Sequence, residues 1–359
     1  MNYLIIGGVA GGATVAARLR RIDEKANIIL FERGKYVSYA NCGLPYYIGG
    51  TINNREKLFV QTVKGFTGRF RIDIRTEQEV TAIRPDKKEV EVKTLSTGET
   101  YTETYDKLVL SPGAEPLRPG IEGIGSKKIF TLRNVPDTDT IKNYVNTENP
   151  KHAIVVGGGF IGLEMAENLH DLGIQVDVVE MADQVMAPLD FSMAAIVHRQ
   201  LTEKGVGLHL EDGVNRFEEK DGGVTVHLRS GKQIATDMVL LSIGVRPETK
   251  LAKDAGLAIG ERGGIAVNDY MQTSDADIYA LGDAVETRHL VTGQPTLIPL
   301  AGPANKQVRI VADNIVFGNK EKYPGSIGTS IAKVFDLTVA TSGANAKLLK
   351  RNNIAYISS

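Results

Sequence analysis

The chain contains one cysteine, Cys42, and this thiol is its best candidate for redox or nucleophilic chemistry. It lies in the segment SYANCGLPYY, residues 38–47. A single sulfur excludes an intrachain disulfide and a multi-cysteine metal site, and we predict no metal centre. Small and polar neighbours and a helix start near Gly43 predict a lowered thiol pKa and an accessible sulfur. The alternative is an inert, buried cysteine, which is the commoner use of a lone thiol.

Two glycine-rich turns are suited to nucleotide phosphates: GGVAGG at residues 7–12 and GGGFIG at residues 157–162. Glycines permit a tight turn and a close approach of the backbone to a pyrophosphate, and the helix that follows presents unpaired N–H groups. The second turn matches the G-x-G-x-x-G pattern fully. The first departs from it, because Val9 stands at the middle glycine position.

The elements around both turns follow one pattern of strand, turn, helix and strand. The predicted ranges are 2–6, 13–21 and 27–31 for the first unit and 153–156, 163–172 and 176–179 for the second. An acid follows each second strand: Glu32 lies 20 residues after Gly12, and Glu180 lies 18 residues after Gly162. An acid at about this spacing binds ribose hydroxyls. Two such units predict an α/β protein with two dinucleotide sites.

Glu180 also discriminates between nucleotides. A carboxylate at this position favours a free ribose 2′-hydroxyl and repels a 2′-phosphate. The four residues that follow, MADQ at 181–184, contain no Arg or Lys to pair with such a phosphate. The sequence therefore predicts that NADH is preferred over NADPH.

A third motif, TSDADIYALGD at residues 273–283, has a short apolar strand that ends in Gly282 and Asp283 before a helix-like stretch. Asp283 at a strand end has the chemistry to accept a hydrogen bond from a polyol. The commoner use of such an aspartate is a helix cap or a turn. The residues alone leave both interpretations open.

Composition narrows the function class. The 42 basic and 43 acidic side chains give a net charge of −1, which disfavours a nucleic-acid binder or a polybasic membrane protein. No apolar run approaches the ~20 residues that span a bilayer, and no signal sequence opens the chain. We expect a soluble, cytoplasmic protein with no nucleic-acid or membrane partner. The 38 glycines among 359 residues indicate many tight turns.

Taken in order, these motifs resemble the pyridine nucleotide–disulfide oxidoreductases over residues 2–317. That family has an N-terminal FAD fingerprint, an inserted NAD(P)H fingerprint and a returning FAD segment that ends in Gly-Asp, here Asp283. The segments SPGAEP at 111–116 and GVRPE at 244–248 look like its two domain crossovers. The resemblance implies an α/β fold with two Rossmann-like dinucleotide-binding domains, for FAD and NAD(P)H, and an incomplete α+β dimerisation domain. The implied ranges are 1–114 and 244–320 for the FAD domain, 115–243 for the NAD(P)H domain and 321–359 for the start of the dimerisation domain.

The dimerisation domain is where the chain departs from the family. Family members continue for a further domain, whereas the residues after Pro324 number about 35, too few for an independent core. The tyrosines that the partner subunit supplies in the family have no counterpart here. We therefore expect a fragment of a longer protein that is a homodimer in its full-length form.

The cysteine motif points to one branch of the family. Dithiol members use two cysteines, which this chain lacks, and the motif around Cys42 resembles the coenzyme A–disulfide reductases and their persulfide-reducing relatives. Single-cysteine NADH peroxidases and oxidases carry a histidine in the first glycine turn, and GGVAGG has none. The alternatives that stay open are such an oxidase or peroxidase with a cysteine-sulfenate centre, a flavoprotein redox sensor without turnover, and a reductase for a ferredoxin-like protein.

The resemblance implies a relay in which NADH passes a hydride to FAD, and reduced flavin delivers electrons to Cys42 on its opposite face. The Cys42 thiolate attacks coenzyme A disulfide or coenzyme A persulfide. Glu164 looks like the family's glutamate near flavin and nicotinamide; the alternative is a first-turn acid that stabilises its helix. The implied cofactor-binding residues are Gly7, Gly8, Gly11, Gly12, Glu32, Arg33, Ser111, Pro112, Gly113, Arg133, Gly157, Gly159, Phe160, Ile161, Gly162, Glu164, Glu180, Gly244, Gly282, Asp283 and Ala301.

Coenzyme A contacts carry over from the family to the first helix, to the cysteine segment and to two further positions. These implied residues are Thr14, Arg18, Arg21, Ser38, Asn41, Arg71 and Asn305. Arginines suit the phosphates of coenzyme A. The alternative is that Arg18, Arg20 and Arg21 form a solvated helix face.

Overall fold

The computed structural model describes residues 1–220 and 222–358, which form two compact units. The first unit comprises residues 1–39, 59–114 and 247–328, and the second comprises residues 40–58, 115–246 and the chain from Thr329 onward. The predicted domain ranges remain a prediction. They divide the chain by the nucleotide that each segment would bind, whereas the two units are divided by their internal packing.

The described strands, β1 to β23 in chain order, are Asn2–Ile6, Asn27–Glu32, Asp73–Thr76, Gln78–Arg84, Glu89–Thr94, Thr100–Thr104, Lys107–Leu110, Ala114–Pro116, Ile129–Phe130, His152–Val156, Gln175–Val179, Gly207–His209, Val214–Lys220, Gly223–Leu228, Gln233–Thr236, Met238–Leu241, Val245–Pro247, Ile265–Ala266, Ile278–Ala280, Val285–Arg288, Pro295–Thr296, Ser330–Val334 and Leu337–Thr341. The described helices, α1 to α9, are Ala10–Ile22, Leu44–Ile48, Val63–Phe70, Val135–Glu148, Phe160–Asp171, Phe191–Glu203, Lys250–Asp254, Ala301–Phe317 and Ala346–Arg351.

The first unit is built on a five-stranded parallel sheet in the order β19-β7-β1-β2-β3. Its central strand β1 reads as one apolar run because both faces are covered, and Leu4 and Ile5 are fully buried. Helix α1 connects β1 to β2 and packs against α8. Two three-stranded sheets, β4-β5-β6 and β18-β20-β21, complete the unit.

The second unit repeats this plan with a five-stranded parallel sheet in the order β12-β11-β10-β16-β9. The pairing of β10 with β11 runs from His152 opposite Gln175 to Val156 opposite Val179. An antiparallel sheet, β13-β14-β15, covers a cluster that includes Ile154, Val156 and Val239. The predicted α/β class, with two Rossmann-like units, is confirmed.

Three local predictions need correction. Helices α1 and α5 begin at Ala10 and Phe160, three residues before the predicted starts, because the last residues of each glycine turn already form the first helical turn. The stretch after Asp283 is not helical: a single 3₁₀ turn, Gly282–Ala284, leads directly into strand β20.

Within residues 1–220 and 222–358, no helix is both long enough and apolar enough to cross a bilayer.

Candidate active site

The first glycine turn is closed so tightly that no side chain fits at Gly7 or Gly12. Gly7 has φ +99°, and its N–H donates to the carbonyl oxygen of Phe31 at 2.9 Å. A Cβ on Gly12 would lie 1.7 Å from the carbonyl oxygen of Gly7. This geometry keeps the start of α1 next to the end of β1, as a pyrophosphate-binding turn requires.

The second turn repeats this geometry within its own unit. Gly157 has φ +107°, and its N–H donates to the carbonyl oxygen of Val179 at 2.8 Å. A Cβ on Gly162 would lie 2.0 Å from the carbonyl oxygen of Gly157. The full glycine pattern of this turn and the irregular one of the first therefore fold alike.

Both helices that follow the turns present open N-termini. In the described residues of α1 and α5, no side chain caps the N-terminus, and neither first turn contains an acid. The unpaired N–H groups and the positive end of the helix dipole are thus available to an anion. With the tight turns, this fits the pyrophosphates of FAD and of a pyridine nucleotide.

The two predicted ribose acids occupy equivalent positions. Glu32 accepts the N–H of Gly8 at 2.7 Å and that of Gly34 at 2.7 Å. Glu180 accepts the N–H of Gly158 at 2.7 Å and that of Ala182 at 2.8 Å. Each carboxylate is thereby fixed at the end of its strand, beside its glycine turn, where the ribose of a bound dinucleotide would lie.

Three more predicted flavin residues meet in the first unit. The hydroxyl oxygen of Ser111 would lie 2.5 Å from a Cβ on Gly11 and 3.6 Å from one on Gly282. The N–H of Gly282 donates to Oε1 of Gln307 at 2.8 Å, a contact that the sequence did not predict. Asp283 follows in the 3₁₀ turn, and Ala301 is the first residue of α8.

Other predicted cofactor residues have protein partners. Arg33 forms a bidentate ion pair with Glu248, with distances of 2.7 and 2.9 Å. Arg133 pairs with Glu115 at 3.0 Å. The remaining members lie in the crossovers or in the second turn: Pro112, Gly113 (φ +79°), Gly159, Phe160, Ile161 and Gly244 (φ +109°).

Cys42 lies in a 3₁₀ turn, Asn41–Gly43, that leads directly into α2. The residue is exposed, as the accessible-sulfur prediction requires. The predicted lowering of its pKa is wrong in direction. Although the residue is exposed, partial desolvation by the protein atoms around it raises the pKa of the Cys42 thiol, and the negative charge of Glu164 raises it further. The thiolate therefore needs help from a bound group or a proton acceptor.

Glu164 lies in the second turn of α5, since the helix begins at Phe160, so the first-turn alternative is wrong. Burial, and then the charge of Glu167, raises the pKa of Glu164 to about 7. Glu167 follows three residues later; its side chain is 3% exposed and forms an ion pair with Lys333. Glu164 is thus poised to gain or lose a proton near neutral pH in the neighbourhood of Cys42.

The predicted coenzyme A residues divide between the units. Asn41 is exposed beside Cys42 in the second unit, whereas Thr14, Arg18, Arg21, Ser38, Arg71 and Asn305 belong to the first. Arg18 pairs with Asp313 at 2.6 Å and Arg71 with Glu24 at 2.8 Å. The Arg71–Glu24 pair is exposed and contributes little to stability, whereas the Arg18–Asp313 pair is bidentate and partly buried, so Arg18 is already engaged by a carboxylate.

Arg20 does not join this group or a solvated face. Its guanidinium donates to the backbone carbonyl oxygens of Phe70, Glu24 and Ala26, at 2.8, 2.7 and 2.8 Å. Arg20 is therefore a structural residue, and Arg21, which lies 5.4 Å from the ring centre of Phe70, remains exposed.

Comparisons with known proteins agree with this geometry. A family model described as pyridine nucleotide-disulphide oxidoreductase matches residues 1–304. A curated coenzyme A disulfide reductase of Staphylococcus aureus strain JH9 is 33% identical over 350 residues, which are 98% of this chain and 78% of that protein.

Two solved structures are more similar still. The reduced Bacillus anthracis protein CoADR-RHD is 56% identical with a TM-score of 0.96, over 99% of this chain and 63% of that one. An NAD-dependent persulfide reductase from A. fulgidus is 40% identical with a TM-score of 0.95, over 98% of this chain and 66% of that one. The chain thus spans just under two thirds of the length of either solved relative.

Proposed function

This chain belongs to the pyridine nucleotide-disulphide oxidoreductase family of FAD- and NAD(P)H-dependent oxidoreductases, and from that premise we propose that it reduces coenzyme A disulfide or coenzyme A persulfide through Cys42. The observation that carries this choice is a single exposed thiol in a 3₁₀ turn, near the half-buried carboxyl of Glu164, in a chain without a second cysteine. The names of the relatives support the same substrate class.

The chain's own residues supply the cofactor sites. The turn at Gly7 and Gly12, with Glu32 and Asp283, would hold FAD, and the turn at Gly157 and Gly162, with Glu180, would hold NADH. When bound, FAD supplies the two-electron connection between NADH and the thiol. The carboxylate of Glu180 repels a 2′-phosphate, which supports NADH as the preferred donor.

Cys42 performs the exchange. Its thiolate attacks one sulfur of coenzyme A disulfide, a Cys42–coenzyme A disulfide forms, and the other coenzyme A leaves as a thiolate that takes up a proton. Two electrons from NADH then cleave the mixed disulfide, and a second proton completes the second coenzyme A thiol as Cys42 returns to the thiolate. Glu164, with its pKa raised to about 7 by burial and by Glu167, is the group that holds a proton nearby.

The proposal extends to assembly and location. The resemblance to the family supports a homodimer of the full-length protein. A single exposed thiol that must stay reduced between turnovers supports a cytoplasmic location.

Steady-state assays of FAD-loaded protein with NADH test the substrate class. We expect turnover with coenzyme A disulfide or coenzyme A persulfide, and little with hydrogen peroxide or oxygen. The matched control is Cys42→Ser, in which disulfide turnover should disappear. Rapid peroxide or oxygen turnover without disulfide or persulfide activity would replace this proposal by the oxidase or peroxidase alternative.

A further inference from the structure

Lys142, on α4, contacts the C-terminal end of the helix that follows Cys42. Its ammonium donates to the carbonyl oxygens of Tyr47 and Ile48, at 2.6 and 3.2 Å, and lies 4.6 Å from the centre of the Tyr47 ring. The last carbonyl groups of a helix have no partner within it. The Tyr47 carbonyl also accepts the N–H of Gly50 at 3.3 Å, so Lys142 is an additional donor at the end of α2. This five-residue helix begins at Leu44, two residues after the cysteine.

A second polar anchor lies one turn earlier on α4. Asp139 forms a bidentate pair with Arg55, with N–O distances of 2.9 and 2.7 Å. Positions 139 and 142 lie on the same face of the helix, because side chains three apart are neighbours. Helix α4 thus holds the cysteine segment at two points, the end of α2 and the 3₁₀ turn Arg55–Leu58 that follows.

The segment 40–58 has little core of its own to fix its position. Its buried side chains are Leu44, Pro45, Ile48 and Leu58, while Asn41 and Cys42 are exposed. On the side of α5 the backbone is close: a Cβ on Gly49 would lie 2.1 Å from Oδ1 of Asn168. Polar anchors on α4 and close packing on α5 together determine where the thiol stands.

Lys142 carries its charge at a partly buried position. Burial lowers the pKa of Lys142, and no carboxylate among the described residues raises it. Desolvation of this cation costs free energy, which the two carbonyl contacts and the Tyr47 ring offset. What the lysine adds is a directed contact with two carbonyl groups.

We propose that Lys142 is a positioning residue for Cys42, which holds α2 by its C-terminal carbonyl groups and so keeps the thiol in place for disulfide exchange. The inference rests on the proposed function. Thiol exchange requires the attacking sulfur in line with the disulfide, and a displacement of about 1 Å in such a step costs roughly a hundredfold in rate. Lys142 lies outside both glycine turns and belongs to no predicted cofactor site.

The test compares Lys142→Met with Lys142→Arg and with a matched control, Lys128→Met. Lys128 makes the same kinds of contact with α4 at another place: its ammonium lies 5.8 Å from the ring centre of Tyr144 and donates to the Tyr144 hydroxyl and to the carbonyl oxygen of Gly222. We expect kcat for coenzyme A disulfide to fall about tenfold or more in Lys142→Met. NADH-driven reduction of ferricyanide, which does not need Cys42, should be unchanged. Lys142→Arg should recover most of kcat, and Lys128→Met should match the parent.

Each contrary result has its own meaning. Unchanged disulfide turnover in Lys142→Met overturns the inference, and so does an equal loss of ferricyanide reduction, which indicates general damage. An arginine variant no better than the methionine variant also counts against it. If Lys142→Met does not fold, Lys142→Gln is used instead. Its shorter, uncharged side chain should show the same selective fall in kcat for coenzyme A disulfide. Failure of the proposed function is recognised separately, by disulfide turnover that survives in Cys42→Ser.

Discussion

Lys333 forms an ion pair with the buried carboxylate of Glu167, and this pair joins the hairpin of β22 and β23 to α5. The second oxygen of Glu167 accepts the N–H of Phe335 at 2.9 Å. The ring of Phe335 also lies edge-on to His170, one turn further along α5, with 5.1 Å between ring centres. Glu167 therefore links the hairpin to the helix that carries Glu164.

Replacing Lys333 should destabilise the protein. Lys333→Met leaves the Glu167 carboxylate, 3% exposed, without its cation. Loss of one partner of a fully buried pair costs about 3–5 kcal/mol, and because Lys333 is 57% exposed we expect roughly 1–3 kcal/mol. Urea unfolding of the parent, Lys333→Met and Lys204→Met measures this. Lys204 pairs with the exposed Asp336 of the same hairpin, and its loss should cost under about 1 kcal/mol. Equal destabilisation by both substitutions would contradict the assignment.

The charge of Glu164 should control the reactivity of Cys42 above neutral pH. Glu164→Gln removes the negative charge that adds to burial in raising the thiol pKa, so alkylation of Cys42 should become faster. Below about pH 7 the parent's Glu164 is protonated and the two proteins should react alike; between about pH 7 and the thiol pKa the variant should be faster. Rates of reaction with iodoacetamide against pH measure this. Glu203→Gln, on the exposed face of α6, serves as the control. Overlapping rate–pH profiles for the parent and Glu164→Gln would contradict an effect of the Glu164 charge on Cys42.

Substitutions in the two glycine turns should abolish the binding of different nucleotides. Gly12→Ala places a Cβ 1.7 Å from a backbone oxygen and should abolish FAD binding. Gly162→Ala, with its Cβ 2.0 Å from the equivalent oxygen, should abolish NADH binding and leave FAD in place. Flavin absorbance of the purified proteins and NADH titration read out the two sites. Gly68→Ala and Gly125→Ala, where a Cβ meets no atom within 4 Å, are the controls. Full flavin content in folded Gly12→Ala would contradict the first assignment.

Glu180 should determine the choice of nucleotide. Glu180→Gln removes one negative charge from the ribose site but keeps an oxygen acceptor for a backbone N–H. We expect the ratio of kcat/KM for NADH over NADPH to fall about tenfold, the equivalent of about 1.4 kcal/mol. Asp183→Asn, a charge change in the same loop, should leave the ratio nearly unchanged. A ratio that does not move in Glu180→Gln would assign the preference to other residues.

The parallel-sheet fold and both nucleotide turns could be predicted because their signals are local. An apolar strand, the glycines and an acid 18 to 20 residues after the last glycine lie within one short stretch of sequence, and each unit repeats them. The helices begin three residues before their predicted starts, because the last three residues of each glycine turn have the sequence of a loop although they form the first helical turn. Glycine's low helix propensity was overridden there by packing of α1 and α5 against their sheets.

The contacts around Cys42 could not be predicted, because their partners are distant in the sequence. Lys142 is 95 residues from Tyr47, and Lys333 is 166 residues from Glu167. The pKa of Cys42 was predicted in the wrong direction for the same reason: small, polar neighbours in sequence do not reveal burial by other elements or the charge of Glu164. Only the spacing of Glu164 and Glu167, three residues apart on a predicted helix, offered a signal that both carboxyls share one face.

Anaerobic titration of the FAD-loaded protein with NADH, beside Cys42→Ser, tests most directly whether Cys42 exchanges electrons with the flavin. Serine replaces sulfur by oxygen at an exposed position, so the fold should be unaffected. The parent should develop the long-wavelength charge-transfer absorbance of a thiolate next to flavin, and the variant should lack it and should not reduce coenzyme A disulfide. The same absorbance and the same turnover in Cys42→Ser would contradict the account.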